Sequence, residues 1–318
     1  MERREMDFGV HKMERVSRID LSDIKGVKLS LTKQGKKWIV NGKYEANEEA
    51  LGLLWAAIEK VETMYPVPAN AQPNVAKDMA RQRSKCEIYI DGSSEAYKTY
   101  YVGGATLDGK GTYMVREIDG KLATRPYVTH IDGIYAYLTS RYLPSEEHWR
   151  SRWVYRDNAQ TIAQVKVSYL LEKQKSFTID RVAKDSMVLV GSEGLPAQQP
   201  KQQFIQQYLD FYSEISLEAF DNNSPMKDSV LGKEQPFCQV SLKRVDGTET
   251  DAVLYYVPLN EKSMVRFDEN GRPLRYDIEH YYAVLNGGKD FVLVQYYMWG
   301  KILRSYEEFF KKPSLHQP

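Results

Sequence analysis

The sequence predicts an α+β protein of two similar domains, each a curved antiparallel sheet with a helix packed across it. In residues 27–61, apolar and polar side chains first alternate as in a pair of strands, and the apolar side chains then recur at helical spacing. A weaker copy of this order follows in the second half of the chain. The chain has 318 residues, which is enough for two domains of ordinary size. We therefore interpret the two halves as an internal duplication.

The first copy predicts strand, turn, strand, tight turn and helix in that order. Residues 27–32 alternate apolar and polar side chains, which is typical of a half-buried strand. Asn41-Gly42 favours a tight turn because both residues tolerate positive φ. Asn47 is a suitable N-cap for the helix that follows. The apolar face of that helix repeats at spacings of three and four: Leu51, Leu54, Trp55, Ile58 and Val61.

The duplication is predicted from residues that recur in the same order. The offset is 150 residues for Trp38 and Val188 (188−38), and it changes by a few residues elsewhere, as loop insertions would require. The alternative is two unrelated α+β halves that share common strand–turn–strand patterns. The other matched pairs are Cys86 with Cys238, Tyr100 with Tyr255, Met114 with Met264, and His130 with His280.

We predict a lead-in or tether over residues 1–15, a first repeat over 16–157 and a second over 158–318. Residues 1–15 are charged and lack periodicity, so they are expected to be loose or extended. In the second repeat, residues 264–267 are predicted as a strand, and residues 276–285 are a candidate helix. Residues 296–310 are aromatic and are expected to close the core.

Composition excludes several classes of protein. Apolar residues make up 42% and charged residues 27%, which is typical of a globular chain. The formal charge of +1 argues against a broad nucleic-acid face. No apolar run approaches 18 residues, so these residues contain no predicted membrane span. Two distant cysteines form neither a disulfide scaffold nor a zinc site.

A glycine-rich segment, residues 104–112, nearly matches the phosphate-binding pattern G-x-x-x-x-G-K-[ST]. Gly111 stands where that pattern requires Ser or Thr. The residues that follow predict a strand, whereas a phosphate site needs a helix N-terminus there. We therefore predict a long hairpin loop that binds no nucleotide.

No other motif predicts catalysis, a cofactor or a metal. None of the five histidines has metal-ligand spacing, and we expect His130 and His280 to be structural. Cys86 and Cys238 lie in predicted strands and are interpreted as small core hydrophobes. We assign no catalytic, cofactor-binding or metal-binding residue.

The most unusual segment is residues 141–156, where arginines alternate with tryptophans. Trp, Tyr and Arg are the usual anchors of protein interfaces, so one hypothesis is a recognition surface. The favoured alternative is an interdomain hinge pinned by the tryptophans. The residues of the candidate surface are Arg141, Trp149, Arg150, Arg152, Trp153 and Arg156.

Four segments carry a family resemblance: residues 36–46, 99–114, 127–133 and 149–152. They resemble the bacterial family called domain of unknown function 4340, and its Bacteroidetes members especially, across residues 7–160. The family usually has proline after the paired glycines, where this chain has Ala105. The resemblance implies an N-terminal membrane anchor, an extracytoplasmic body and, for some members, an association with ABC transport components. It implies no catalytic residues.

From these observations we expect a non-catalytic extracytoplasmic binding or assembly module of a bacterial envelope complex. The expected location is the periplasm, with the protein anchored in the inner membrane by a segment that precedes this chain. The expected partner is another envelope protein, with no nucleic acid and no cofactor. The alternatives are an enzyme acting on an envelope polymer in the interdomain cleft, and a carrier for a small molecule or lipid.

Overall fold

The computed structural model describes residues 2–184, 186–192, 199–261 and 263–310. The chain is α+β, with antiparallel strands in two large sheets of ten and eight strands and few helices. It divides into two compact units, residues 1–151 and residues 152–318.

Unit 1 contains the ten-stranded sheet, called sheet 1. Its strand order is β4-β3-β2-β1-β6-β7-β8-β10-β5, and β9 pairs with β8. The strands are β1 (Val16–Asp23), β2 (Lys28–Gln34), β3 (Lys37–Val40), β4 (Tyr44–Glu45), β5 (Val61–Pro66), β6 (Ser84–Ile90), β7 (Lys98–Ala105), β8 (Thr112–Ile118), β9 (Lys121–Leu122) and β10 (Tyr127–Ile131).

Four helices accompany sheet 1. They are α1 (Glu2–Glu5), α2 (Glu48–Lys60), α3 (Gln72–Arg81) and α4 (Glu146–Trp149), with 3-10 turns at Met13–Arg15 and Thr139–Tyr142. The core face of sheet 1 is covered by α2. On the opposite face, Val75 and Met79 of α3 pack on β7, β8 and β10, so the part of this face formed by β1, β2 and β6 is left without a helix.

Helix α2 begins as its sequence predicts. The side chain of Asn47 accepts hydrogen bonds from the backbone N–H groups of Glu49 and Ala50, at 3.0 and 3.4 Å. Leu54 and Ile58 are fully buried, whereas Trp55 is half-buried against Trp38. The helix ends at Lys60, one residue before Val61, because residue 61 begins strand β5, which the sequence pattern does not predict.

Residues 2–10 pack on sheet 1 and are not loose. Phe8 and Val10 are 1% and 2% exposed, and Phe8 contacts the rings of Tyr100 and Tyr127. Buried Glu5 accepts hydrogen bonds from Thr124 and from the hydroxyl of Tyr127. The expectation of a loose lead-in is therefore wrong for these residues, since their apolar side chains complete the core.

Unit 2 contains the eight-stranded sheet, called sheet 2, with the order β14-β13-β12-β17-β18-β19-β20-β16, and a small sheet of β11 with β15. The strands are β11 (Trp153–Tyr155), β12 (Ile162–Tyr169), β13 (Phe177–Ala183), β14 (Ser186–Gly191), β15 (Ile215–Ser216), β16 (Ala219–Phe220), β17 (Cys238–Arg244), β18 (Glu249–Pro258), β19 (Tyr276–Leu285) and β20 (Asp290–Gln295).

The helices of unit 2 are α5 (Gln202–Asp210), α6 (Lys227–Lys233) and α7 (Tyr296–Trp299), with 3-10 turns at Lys173–Lys175, Phe211–Glu214, Asn286–Gly288 and Tyr306–Phe309. Helix α5 covers the core face of sheet 2, and Val230 of α6 packs on the opposite face. Trp299, Tyr306 and Phe309 are buried in the core, as the aromatic C-terminal segment predicts.

The hydrogen-bonded ladders of the two sheets follow one pattern. In sheet 1, β1 lies between β2 and β6, and in sheet 2, β12 lies between β13 and β17. In the chain, β6 follows helix α3, and β17 follows helix α6. The β1–β6 ladder starts at Val16 with Ile90, has a bulge one residue later and continues through seven pairs in all. The β12–β17 ladder starts at Ile162 with Arg244 and has its bulge at the same step and the same number of pairs.

The residue matches predicted from sequence are wrong in detail. Counting along the ladders, Trp38 occupies the position of Met187, because Leu31 pairs with Val40 as Ile179 pairs with Leu189. Tyr100 occupies the position of Ala252. The other matches are also wrong. Cys86 occupies the position of Val240, and Met114 occupies the position of Ala283. His130 occupies the position of Gln295.

Two elements of unit 2 differ from their predictions. Tyr276–Leu285 is strand β19 and not a helix. Its sequence places apolar residues on both sides, and both faces of this strand are covered, so helical and strand spacing look alike. Residues 264–267 do not form a regular strand and contribute only one isolated bridge, Phe267 with Pro273.

Candidate binding groove

The uncovered part of sheet 1 contains a groove of about 410 Å³, within the range of small-ligand sites. Strands β1, β2 and β6 and the β3–β4 turn supply its walls. Side chains alternate across a strand, so the face opposite the apolar core residues of β1 is polar. The lining residues are Arg18, Asp20, Leu21, Ser22, Lys28, Leu29, Ser30, Asn41 and Glu87.

The groove contains ionised groups of both signs that pair along the strands. Arg18 Nε lies 3.2 Å from Asp20 Oδ2, and Glu87 Oε1 lies 3.0 Å from Nζ of Lys85, a residue beside the groove. The guanidinium of Arg18 also stacks 3.8 Å above the ring of Tyr89. These contacts hold the charged side chains in one orientation on the sheet.

Two polar atoms of the groove are buried without a hydrogen bond to any described residue. They are Arg18 Nε, whose contact with Asp20 lacks hydrogen-bond geometry, and Asp20 Oδ1. A buried donor and acceptor left unpaired cost about 1–3 kcal/mol each. A ligand that supplies both an acceptor and a donor would remove this cost.

The predicted Arg/Trp surface is not a single exposed patch. Trp149 is a fully buried core residue of unit 1, and its Nε1 donates to the carbonyl of Leu143 at 2.6 Å. Arg150 is also buried and stacks on the ring of Tyr44. The inclusion of these two residues in an exposed surface is therefore wrong, because a one-turn helix and a β-bridge turn them inward.

The remaining members of the predicted surface keep some exposure. Arg141 of unit 1 is partly buried, and its Nη1 has no hydrogen bond to a described residue. Arg152, Trp153 and Arg156 are exposed in unit 2, with the Arg156 guanidinium 5.3 Å above the ring of Trp153. These three residues stay a candidate interaction surface.

The glycine-rich segment is a hairpin loop between β7 and β8, as predicted. Its glycines allow close packing. A Cβ at Gly103 would lie 2.8 Å from Met79 Cγ of α3, and a Cβ at Gly111 would lie 2.5 Å from Val128 Cγ1 of β10. Gly111 and the preceding Gly103 thus have a structural explanation that involves no phosphate.

The cysteines are buried in separate cores, one in each unit. Burial raises the pKa of the Cys86 thiol to about 12 and that of the Cys238 thiol to about 12. At neutral pH both are therefore thiols, which are poor nucleophiles.

His280 is held between two carboxylates of unit 2. Its Nδ1 lies 3.2 Å from Asp277 Oδ1, and its Nε2 lies 3.3 Å from Glu218 Oε2. Burial acts to raise the pKa of Asp277, but hydrogen bonds from the Glu279 backbone, Ser263 and His280 lower it overall. In the described part of the chain, no group of three His, Cys, Asp or Glu side chains is placed to hold a metal ion.

Among residues 2–184, 186–192, 199–261 and 263–310, no helix is both long and apolar enough to span a bilayer. In comparisons with protein-family models, curated proteins and solved structures, nothing matches this chain.

Proposed function

We propose that this protein is a non-catalytic binding or assembly module, and that the groove of sheet 1 binds a polar segment of a partner protein. The observation that carries the proposal is the groove itself, in which the partly exposed side chains of Arg18 and Asp20 each keep an atom, Arg18 Nε and Asp20 Oδ1, that has no hydrogen bond to a described residue. A peptide segment offers carbonyl acceptors and N–H donors for both atoms. Tyr89 and Arg18 beside them are residue types that anchor interfaces.

The proposal also includes an origin by duplication. It is supported by the shared strand order, the shared bulge and the equal number of pairs in the β1–β6 and β12–β17 ladders. Two unrelated sheets would have no reason to agree at each of these steps. One unit then kept or gained charged residues in its groove.

The envelope location and the ABC-transport association are part of the proposal and rest on the resemblance to domain of unknown function 4340. The proposed partner is an envelope protein, and the proposed location is the periplasmic side of the inner membrane. Fractionation of cells that express the full-length gene tests this location. Recovery of the protein solely in the soluble cytoplasmic fraction would contradict it.

The groove is tested by photo-crosslinking in native membranes. Ser22 lines the groove, and Ser168 holds the same ladder position in sheet 2, which gives a matched control. A crosslinking amino acid at position 22 should capture one discrete protein, and Asp20→Arg should abolish the capture. The same amino acid at position 168 should capture none. Equal capture at both positions, or capture insensitive to Asp20→Arg, would contradict the groove proposal.

A further inference from the structure

Two cations are buried side by side at one end of sheet 1, away from the groove. Lys98 begins β7 and Arg116 lies near the end of the neighbouring β8. Arg116 pairs with Tyr100 across the ladder, and Lys98 is two residues from Tyr100, so all three side chains point to the core face. Lys98 is 4% exposed and Arg116 is 8% exposed.

Their charges are not balanced. Lys98 Nζ bonds Asp7 Oδ1 at 3.0 Å and also donates to the carbonyl of Gly9. Arg116 makes no ion pair with a described residue, and its Nε and Nη1 are buried without a hydrogen bond. Burial lowers the pKa of both Arg116 and Lys98, although Asp7 acts in the opposite direction. Two cations therefore face one carboxylate.

An unpaired buried charge is strongly destabilising, so its retention needs a reason. The pairing of the strands does not require a cation at either position. The ladder position of Arg116 is held in sheet 2 by Leu285, and that of Lys98 by Thr250, with the same pairing. The strands therefore pair in the same way when this position holds a buried leucine.

Asp7 connects the buried cations with solvent. Residues 7–9 lie against Lys98, because Asp7 and Gly9 both accept hydrogen bonds from its Nζ and Phe8 between them is buried. The carboxylate of Asp7 is on the cation side of this segment, yet its side chain is 58% exposed. An anion that displaced the exposed Asp7 carboxylate would reach Lys98 Nζ, and the buried Nε and Nη1 donors of Arg116 would have to turn toward it.

We propose that Arg116 and Lys98 form a binding site for an oxyanion of the phosphate class. Arg116 supplies a planar fork of N–H donors that fits tetrahedral oxyanions, and Lys98 supplies a point charge. The ligand is either free phosphate or the phosphate of a lipid headgroup, since both present the same oxygens. Asp7 occupies part of the site when no anion is bound.

The test is thermal and chemical unfolding at fixed ionic strength, with inorganic phosphate replacing chloride. Wild-type protein should be stabilised, with its unfolding constant falling about tenfold when phosphate is at ten times its dissociation constant. Arg116→Leu should lose this response, and Lys98→Met should weaken it. Arg15→Gln, which removes an exposed cation paired with Asp91, should keep it.

The Arg116→Leu variant separates the proposal from a structural role. Without phosphate, it should be at least as stable as wild type, because it removes an unpaired buried charge. Vesicles of phosphatidylglycerol and of phosphatidylcholine, added in place of phosphate, distinguish a headgroup from the free ion. Three results would overturn the proposal: no stabilisation of wild type by any of these additions, an equal response in Arg116→Leu, or loss of stability in phosphate-free Arg116→Leu.

Discussion

Sheets 1 and 2 share their ladders but differ in where they carry charge. At the ladder positions of Arg18, Asp20 and Glu87 in sheet 1, sheet 2 has Gln164, Lys166 and Ser241. At the positions of Lys98 and Arg116, sheet 2 has Thr250 and Leu285. The backbone pattern is therefore compatible with either set, and the charges of sheet 1 are not needed to form it.

This difference separates residues that build the fold from residues available for binding. Positions that are apolar in both sheets, such as Leu31 and Ile179, maintain the cores. The charges of the groove and of the buried cation pair are not repeated in sheet 2, where the position of Asp20 has the opposite charge, Lys166, and the positions of Arg18, Glu87, Lys98 and Arg116 are uncharged. Both of the proposed binding sites are therefore in unit 1.

The largest predicted effect concerns the two cysteines, which report on the two units separately. With a pKa of about 12, each thiol should react with iodoacetamide roughly three orders of magnitude more slowly than a free cysteine. Peptide mass spectrometry at increasing denaturant would show which of Cys86 and Cys238 becomes labelled first. Fast labelling of either one in native protein would show that its core is open.

A matched pair of tryptophans tests whether the units depend on each other. Trp149 and Trp299 are both fully buried, and each indole donates to a backbone carbonyl of its own unit. Trp149→Ala and Trp299→Ala should each cost about 3–5 kcal/mol. Trp149→Ala should speed labelling of Cys86, and Trp299→Ala should speed labelling of Cys238. Equal acceleration of both cysteines by either change would mean that the units unfold as one.

The hairpin glycines of sheet 1 give a smaller effect. Gly111→Ala should destabilise unit 1 by about 2–3 kcal/mol, because the new Cβ overlaps Val128, which is β-branched and buried. Gly104→Ala is the control, since its Cβ would meet no atom within 4 Å. Chemical denaturation measures both. Equal stability of the two variants would contradict this packing.

The smallest effect is expected at Trp55, which contacts Trp38 edge-on with ring centroids 4.7 Å apart. A fully buried position would cost 3–5 kcal/mol on truncation, but Trp55 is half-buried, so Trp55→Ala should cost about 1–2 kcal/mol. Leu54→Ala, at a fully buried position of the same helix, should cost more. If Trp55→Ala proved the more damaging, the observed face of α2 would be contradicted.

Local elements were predictable because their signals lie within a few residues. The Asn47 cap, helix α2 and strand β8 follow from spacing and capping alone. The residue matches between the two halves could not be predicted, because bulges and loop lengths set the register of the ladders. Identical residues in the two halves therefore lie at positions that do not correspond in the structure. Strand β19 was mistaken for a helix because both of its faces are covered.

The candidate sites were harder to predict than the fold. In strand β8, Arg116 lies on one face, and Tyr113, Val115 and Glu117 lie on the other. Each face has both apolar and polar residues, so the sequence does not show which face of β8 is buried. The burial of Arg18 Nε and Asp20 Oδ1 without a hydrogen bond depends on the packing of β1 and β2 with β6, which is distant in the chain. Trp149 looked exposed because its neighbours are charged, and only the short helix α4 turns it inward.

The packing of residues 2–10 has a consequence for synthesis on the ribosome. Glu5 bonds Tyr127, 122 residues further along, and Phe8 packs on the same ring. The earliest-made part of unit 1 must therefore wait for one of its last strands before its core can close. Contacts of such long sequence separation slow folding and leave apolar surface exposed meanwhile. Unit 1 should thus keep the apolar side chains of its first residues exposed until β10 has been made.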